Sequence, residues 1–157
     1  MGVRTLAELI AVYHHTVGRN GFLMMDFAPT PAGLIAPAQA AAYAEFGQWL
    51  RGCYGTAIAT AQGTVAQGGT LLLKLAHSTA VDRVVVQEDQ RGGQRIRAYT
   101  VEVQGAGGWE KGSAGTSVGN KKIDLLAAAV NATALRLTVV QSVGPAVVRA
   151  FSVYHCG

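Results

Sequence analysis

Glu88 and Asp89 are adjacent carboxylates at the end of VVVQED, immediately ahead of the basic run RGGQRIR. A glycosidic bond needs two carboxyls facing each other across about 5–5.5 Å in a retaining enzyme. Neighbours at a strand end cannot do that, so a solvated charged loop is expected there. His14 and His15 are also adjacent, within a helical pattern, and so face different directions; they lack the i, i+4 spacing of a metal-chelating pair. The chain has no GxSxG, HExxH, Walker loop or CxxC motif. From the residues alone, no catalytic group, metal or cofactor is predicted.

The binding candidates are Trp109, Glu88 and Arg95. Trp109, in GAGGWEKGS, offers an indole on which a sugar ring could stack; the alternative is a core plug closing one end of a sheet. Arg95 stands beside a tight turn, where its guanidinium could clamp a ligand; an ion pair with Glu88 or Asp89 is the favoured expectation. Asn131-Ala132-Thr133 has the form of an N-glycosylation acceptor, meaningful in a secreted chain. Cys53 and Cys156 are too few for a metal cluster or a disulfide framework. Two free, partly buried thiols are the expectation, and a single bridge in an oxidising compartment is the alternative.

Charge excludes one class of partner. The ten Lys and Arg after Gly55 are interleaved with six Asp and Glu, and three of each sign cancel before it. That is a poor footprint for a polyanion, so no nucleic-acid partner is expected, RGGQRIR included. Half of the 157 residues are hydrophobic and 14% are charged, as a packed core requires. No run approaches the roughly 18 apolar residues of a membrane span. MGVRTLAEL lacks the apolar run of a signal peptide and, with Leu6 at its sixth position, the pattern of a myristoylation site.

The elements that would hold these residues change character near residue 54. Thr5 and Glu8 form a capping box ahead of the stripe Leu6, Leu9, Ile10, Tyr13 and Val17, and Gly18 ends that helix. GFLMMDFAP reads as a buried strand, and Pro37 starts a second helix with Tyr43, Phe46 and Leu50 on its inner face. Beyond residue 54, TLLLKLA, RVVVQE, RIRAYTVEV, GWEKGSAGTS, KKIDLLA, ALRLTVVQS and AVVRAFSVYH read as short strands divided by Gly, Asn and Ser turns. A mainly β chain is expected: a small α/β lobe over residues 1–54, then an antiparallel sandwich or jelly roll over residues 55–157. In this reading RGGQR is a strand connection.

Three stretches taken in order resemble a known family. YHHTVGRNGFLMMDFAPTPAGLIAPAQAAAYAEFGQWLRGCYGT is similar to the end of the catalytic (β/α)8-type barrel of the α-L-fucosidases of glycoside hydrolase family 29. VVVQEDQRGGQRIRAYTVEV, GTSVGNKKIDLL and ALRLTVVQSVGPAVVRAFSVYH resemble the galactose-binding-like C-terminal sandwich of those enzymes, the plant-type ones in particular. The resemblance implies hydrolysis of terminal α-L-fucosyl residues by the complete enzymes. Glycans carrying fucose or galactose are the implied partners, and an extracellular, apoplastic or vacuolar-lysosomal location is implied; a start at Met1 without a leader implies the cytoplasm instead.

The family's nucleophile is an Asp on a middle barrel strand with no counterpart here, and Asp26, standing where the family usually has Asn, does not replace it. A barrel takes about 250 residues, so this chain alone is expected to be inactive: an accessory module, carbohydrate-binding or purely structural. AIATAQGTVAQGG is short for the strands expected there, which leaves an incomplete sandwich edge. The uncovered barrel remnant should fold back onto the sandwich or drive self-association.

Overall fold

The computed structural model describes residues 2–157. Helix α1 (Leu6–Thr16) begins at the Thr5/Glu8 capping box, and α2 (Pro37–Tyr54) carries Pro at its first turn. Six strands follow: β1 (Ala59–Val65), β2 (Thr70–Glu88), β3 (Ile96–Gly105), β4 (Gly108–Gly115), β5 (Lys122–Ser142) and β6 (Ala146–Tyr154). They join antiparallel in the order β1-β6-β2-β5-β3-β4. RGGQR connects β2 to β3, as expected.

Four of the expected short strands are two long ones. β2 spans 19 residues and β5 spans 21. Their mutual register shifts between Lys74 and Thr79 and again between Val81 and Arg83. Such irregularities bend a strand, so each serves both layers of a sandwich. In one layer Arg83–Glu88 lies between β6 and the start of β5; in the other, residues 134–138 of β5 lie between residues 70–74 of β2 and β3. The core between the layers includes Leu73, Val84, Val86, Tyr99, Val101, Leu135, Leu137, Val148, Phe151 and Val153. Tyr99 lies across Gly115, where an added Cβ would stand 2.5 Å from the ring, and its hydroxyl donates to Asp124 (2.8 Å). Ser113 Oγ also donates to Asp124 (2.8 Å) and Lys122 Nζ lies 3.2 Å from it, tying β4 and β5 together at the layer edge.

The expected gap before Thr70 is a strand. β1 pairs with β6 from Ala59↔Val153 to Val65↔Ala146. Ala59, Ala61 and Gly63 at its inward positions suit an edge that lies close over its neighbours, and they leave Val65 as its one large apolar residue facing the core.

GFLMMDFAP corrects the expectation in the other direction. It makes no ladder among the described residues; the isolated bridge Pro29↔Ile35 is its one pairing. Leu23 and Met25 pack inward, whereas Phe22 and Met24 are 86% and 75% exposed. The alternation is strand-like, but a strand exists only against a partner that accepts and donates its backbone hydrogen bonds.

The helical lobe folds back onto the sandwich. Val85, Ile123 and Tyr154 share a second core with Leu9, Tyr13, Phe46, Trp49 and Leu50. Both faces of the layer containing Arg83–Glu88 are therefore covered, which explains why Val84, Val85 and Val86 are buried in succession rather than alternately. Cys53 and Cys156 form a disulfide with their Cα atoms 4.6 Å apart, correcting the expectation of free thiols. Around it, Arg83 pairs with Asp82 (2.7 Å), Asp82 accepts the Cys156 N–H (3.1 Å), and Tyr54 Oη lies 2.7 Å from His14 Nε2.

Burial pushes the Tyr54 phenol up to about 12 from the ordinary 10. A raised value means that the neutral phenol's stabilising contribution is complete below pH 10 and is lost as pH rises through about 12. Alkaline titration followed by the near-ultraviolet phenolate band should show a late step that Tyr54→Phe removes, accompanied by a change in Trp49 emission. A Tyr54 that ionises near the ordinary value of 10 would contradict this docking.

Candidate functional site

The loop from Asp89 to Arg95 is shaped from beneath by Glu88. That side chain is 1% exposed, and its Oε1 accepts the backbone N–H of Arg95 (2.6 Å) and of Ile96 (3.1 Å). A carboxylate at the end of β2 thus closes the loop onto the start of β3. Asp89 N–H donates to Val147 O (2.8 Å), holding the loop beside β6. Asp89 also takes the Arg91 backbone N–H and side chain, with Nη2–Oδ2 at 2.6 Å. These Arg91 hydrogen bonds, side chain first, hold the Asp89 carboxyl down at about 2.

Arg95 crosses to the β5–β6 turn. Its Nη1 donates to Val143 O (3.1 Å), and Val143 N–H returns a bond to Arg95 O (2.9 Å). The guanidinium passes over Gly144, whose φ is +89° and whose Cβ, if added, would stand 2.8 Å from Nη1. The positive φ favours glycine there, and a side chain would displace the guanidinium. The expected ion pair of Arg95 with Glu88 or Asp89 does not form: Glu88 is taken by backbone donors and Asp89 by Arg91. An arginine has five N–H donors, so further donors of Arg95 are available to a ligand in the open groove of about 660 Å³ lined by Thr64, Asp89, Arg91, Gly92, Arg95 and Val147.

Trp109 lies elsewhere. It pairs with Gln104 at the far end of β3, on the order of 25 Å from Ile96 at about 3.3 Å per strand residue. The structure therefore does not bring the three expected binding residues together. Trp109 is half-buried, neither a core plug nor a free platform, because the Arg136 guanidinium covers one ring face at 4.6 Å. Arg136 is itself held by Glu102 at 2.5 and 2.8 Å. Asn131 and Thr133 are exposed on β5. His14 is half-buried against Tyr54 and His15 is exposed, and among the described residues no three His, Cys, Asp or Glu are grouped to hold a metal. No described helix is long and apolar enough to cross a membrane.

Thr64, Pro145 and Val147 were not predicted as groove residues. The turn residues of SVGPA pointed to a loop, but it is the pairing of β3 with β5, Ile96 opposite Ser142, that brings this loop to Arg95, and the pairing of β1 with β6 that adds Thr64.

The molecule is a two-layer antiparallel sandwich carrying a helical lobe on one outer face. The family 32 carbohydrate-binding module of Clostridium perfringens NanJ, solved with galactose, shares this fold over 57% of the chain and 69% of its own (TM-score 0.51, 21% identity). A Bacteroides thetaiotaomicron protein assigned as an α-L-fucosidase superposes over 97% of the chain at 36% identity (TM-score 0.90), matching 34% of its own length. A glycoside hydrolase family 29 member from an unknown rumen bacterium superposes over 98% at 26% identity (TM-score 0.87), matching 29% of its length. Alpha-L-fucosidase 1 of Arabidopsis thaliana aligns with 84% of the chain at 23% identity, over 33% of its own length. No family model matches the sequence. The chain corresponds to the C-terminal region of the glycoside hydrolase family 29 fucosidases that it matches. It spans about a third of the length of these relatives.

Proposed function

We propose that the chain is a non-catalytic accessory portion of a fucosidase-type glycoside hydrolase and that its sandwich holds fucose- or galactose-containing glycans weakly at the Arg95 groove. The supporting observation is Arg95 itself: a guanidinium fixed by Val143 and Gly144, with unused donors beside the Asp89 carboxylate, suits the vicinal hydroxyls of a pyranose. No aromatic ring lines this groove, so weak binding is expected. The Cys53–Cys156 bridge supports an oxidising compartment.

A second reading, a brace without a ligand, is favoured by the lobe interface, where an aromatic core and a disulfide bind one outer sheet face to the helices. Titration with galactose and fucose, followed by amide shifts, separates the two. Shifts at Thr64, Asp89–Arg95 and Val147 that weaken at least tenfold in Arg95→Ala support the groove. Shifts confined to β4 would move the site to Trp109, and no shifts at all would leave the brace.

The same protein should release no nitrophenol from an aryl fucoside above a buffer blank, since a stray carboxylate does not replace a positioned pair. Turnover abolished by a point substitution in this chain would refute the non-catalytic assignment.

A further inference from the structure

We infer that the groove between the end of α1 and the outer edge of β4 binds a saccharide carrying an anionic group, a sulfate or a carboxylate, and that Arg19 and Lys122 hold that group. The site stands apart from the Arg95 groove, and only the saccharide part of the inference rests on the glycan-binding reading above.

The first observation is a pair of cations set side by side by the backbone. Past α1 the chain turns through Asn20 in the left-handed region (φ 64°), and Gly21 N–H closes the turn onto Thr16 O (2.7 Å). The turn is fastened to the start of β5. Asn20 N–H donates to Lys121 O (2.8 Å), Ile123 N–H donates to Gly18 O (2.9 Å), and Asn20 Oδ1 accepts the Asn120 N–H (2.5 Å). The first two bonds flank the antiparallel bridge Arg19↔Lys122. Residues opposed in this way have Cα atoms about 4.5 Å apart and side chains on one face. Like charges so placed repel each other. Asp124 compensates Lys122 at 3.2 Å. Arg19 is exposed and belongs to none of the ion pairs among the described residues. An anion set between the two cations would remove the repulsion.

The second observation is the space around the pair. Arg19 and Lys122 line two cavities in common. One, of about 330 Å³, also takes in Asn20, Thr116 and Ser117; the other, of about 410 Å³, takes in His15, Ser113 and Asp124. Small-ligand sites run from about 300 to 1,000 Å³, so each has room for a ligand group. Asp124 is the one carboxylate in either lining, and it is already engaged. Its Oδ2 accepts from Tyr99 and Ser113 at 2.8 Å each, and its Oδ1 faces Lys122.

The groove therefore meets an incoming anion with two cations and no unengaged acid. A sulfate or carboxylate accepts charge-assisted hydrogen bonds from both cations, which a neutral sugar cannot do. The hydroxyls of Thr116 and Ser117 and the His15 imidazole offer donors and acceptors to the ring hydroxyls that flank such a group. β4 ends the strand order, so its outer edge adds unpaired backbone groups to the same wall.

The test records amide spectra of the 157-residue chain against galactose 6-sulfate, galacturonic acid, galactose, fucose, sodium sulfate and a tetraglutamate peptide. At least one of the two anionic sugars should shift amides 113–118 and 122, and the tighter of them identifies the group. It should bind there about tenfold more tightly than galactose, the difference expected of a hydrogen bond to a charged group. Added salt should weaken this binding by screening an exposed cation. Arg19→Ala should abolish the shifts and Arg19→Lys should keep most of them, with near-ultraviolet dichroism unchanged in both because Arg19 is exposed. Amides 89–95 in the same spectra report the Arg95 groove, so each site succeeds or fails separately. The inference is overturned if neither anionic sugar shifts amides 113–118, if galactose binds there equally well, or if Arg19→Ala binds unchanged. It is also overturned if sodium sulfate binds as tightly as the sugars, which would mean an adventitious ion only, or if tetraglutamate binds more tightly, which would make the β4 edge a peptide site.

Discussion

Replacing Cys53 and Cys156 together by Ala should lower the unfolding free energy by about 4–5 kcal/mol, the loop-closure value for cross-linked positions about 100 residues apart. The two cysteines are separated by 103 positions. The bond encloses every strand of the sandwich, so in the unfolded chain it restricts almost the whole β region. In the folded protein it joins the end of α2 to the residues following β6, where Asp82 already holds the Cys156 N–H. Without the bridge, the lobe keeps its aromatic contacts and the Tyr54–His14 bond but loses its covalent anchor. Denaturant titration of the oxidised protein, the reduced protein and the double variant checks this. The last two should agree, and amides of α1 and α2 should lose more protection than those of β2. An unchanged midpoint on reduction would mean that docking alone fixes the lobe.

The second large effect is expected at Glu88. Glu88→Ala removes the acceptor shared by the N–H groups of Arg95 and Ile96. Leaving two enclosed donors unsatisfied costs about 2–5 kcal/mol together, at roughly 1–3 kcal/mol each. Glu88→Gln keeps a carbonyl at the same place and should restore most of the stability. The functional consequence separates this from an ordinary core defect. Once the loop is released, Arg95 no longer holds its place over Gly144, so amide protection across 89–95 and the shifts caused by galactose should fall together in the Ala variant and return in the Gln variant. Loss of stability with the groove intact would show that Glu88 supports the sheet and not the loop.

Much of the fold could be read from local chemistry. The Thr5/Glu8 capping box and Pro37 mark the starts of both helices, and RGGQR is the joint between two strands. What escaped depended on partners distant in sequence. TLLLKLA and RVVVQE read as separate strands because HSTA between them is polar, yet β2 continues through it and bends to serve both layers. GFLMMDFAP has strand-like composition, but composition does not provide the neighbouring backbone that makes a strand.

The candidate site was half legible for the same reason. Glu88 and Arg95 do belong to one loop, but their expected charge pairing yields to two backbone donors that sit closer to the carboxylate. Trp109 shares a hairpin with that region in sequence and is separated from it by the length of β3 in space. Thr64 and Val147 reach the groove through the pairing of β1 with β6, which no local pattern encodes.

The strand order also has a temporal consequence. β6 is the last of the six strands to leave the ribosome, and it takes an interior position between β1 and β2. Until it emerges, a translating chain carries an open slot in its first layer, with the Val84–Val86 edge unzipped and β1 tethered but idle. Oxidation of Cys53 must wait for the same moment, since its partner follows β6. The molecule is therefore made as an unlatched intermediate and closes in one late event, which sets the interval in which a holding chaperone has most to protect.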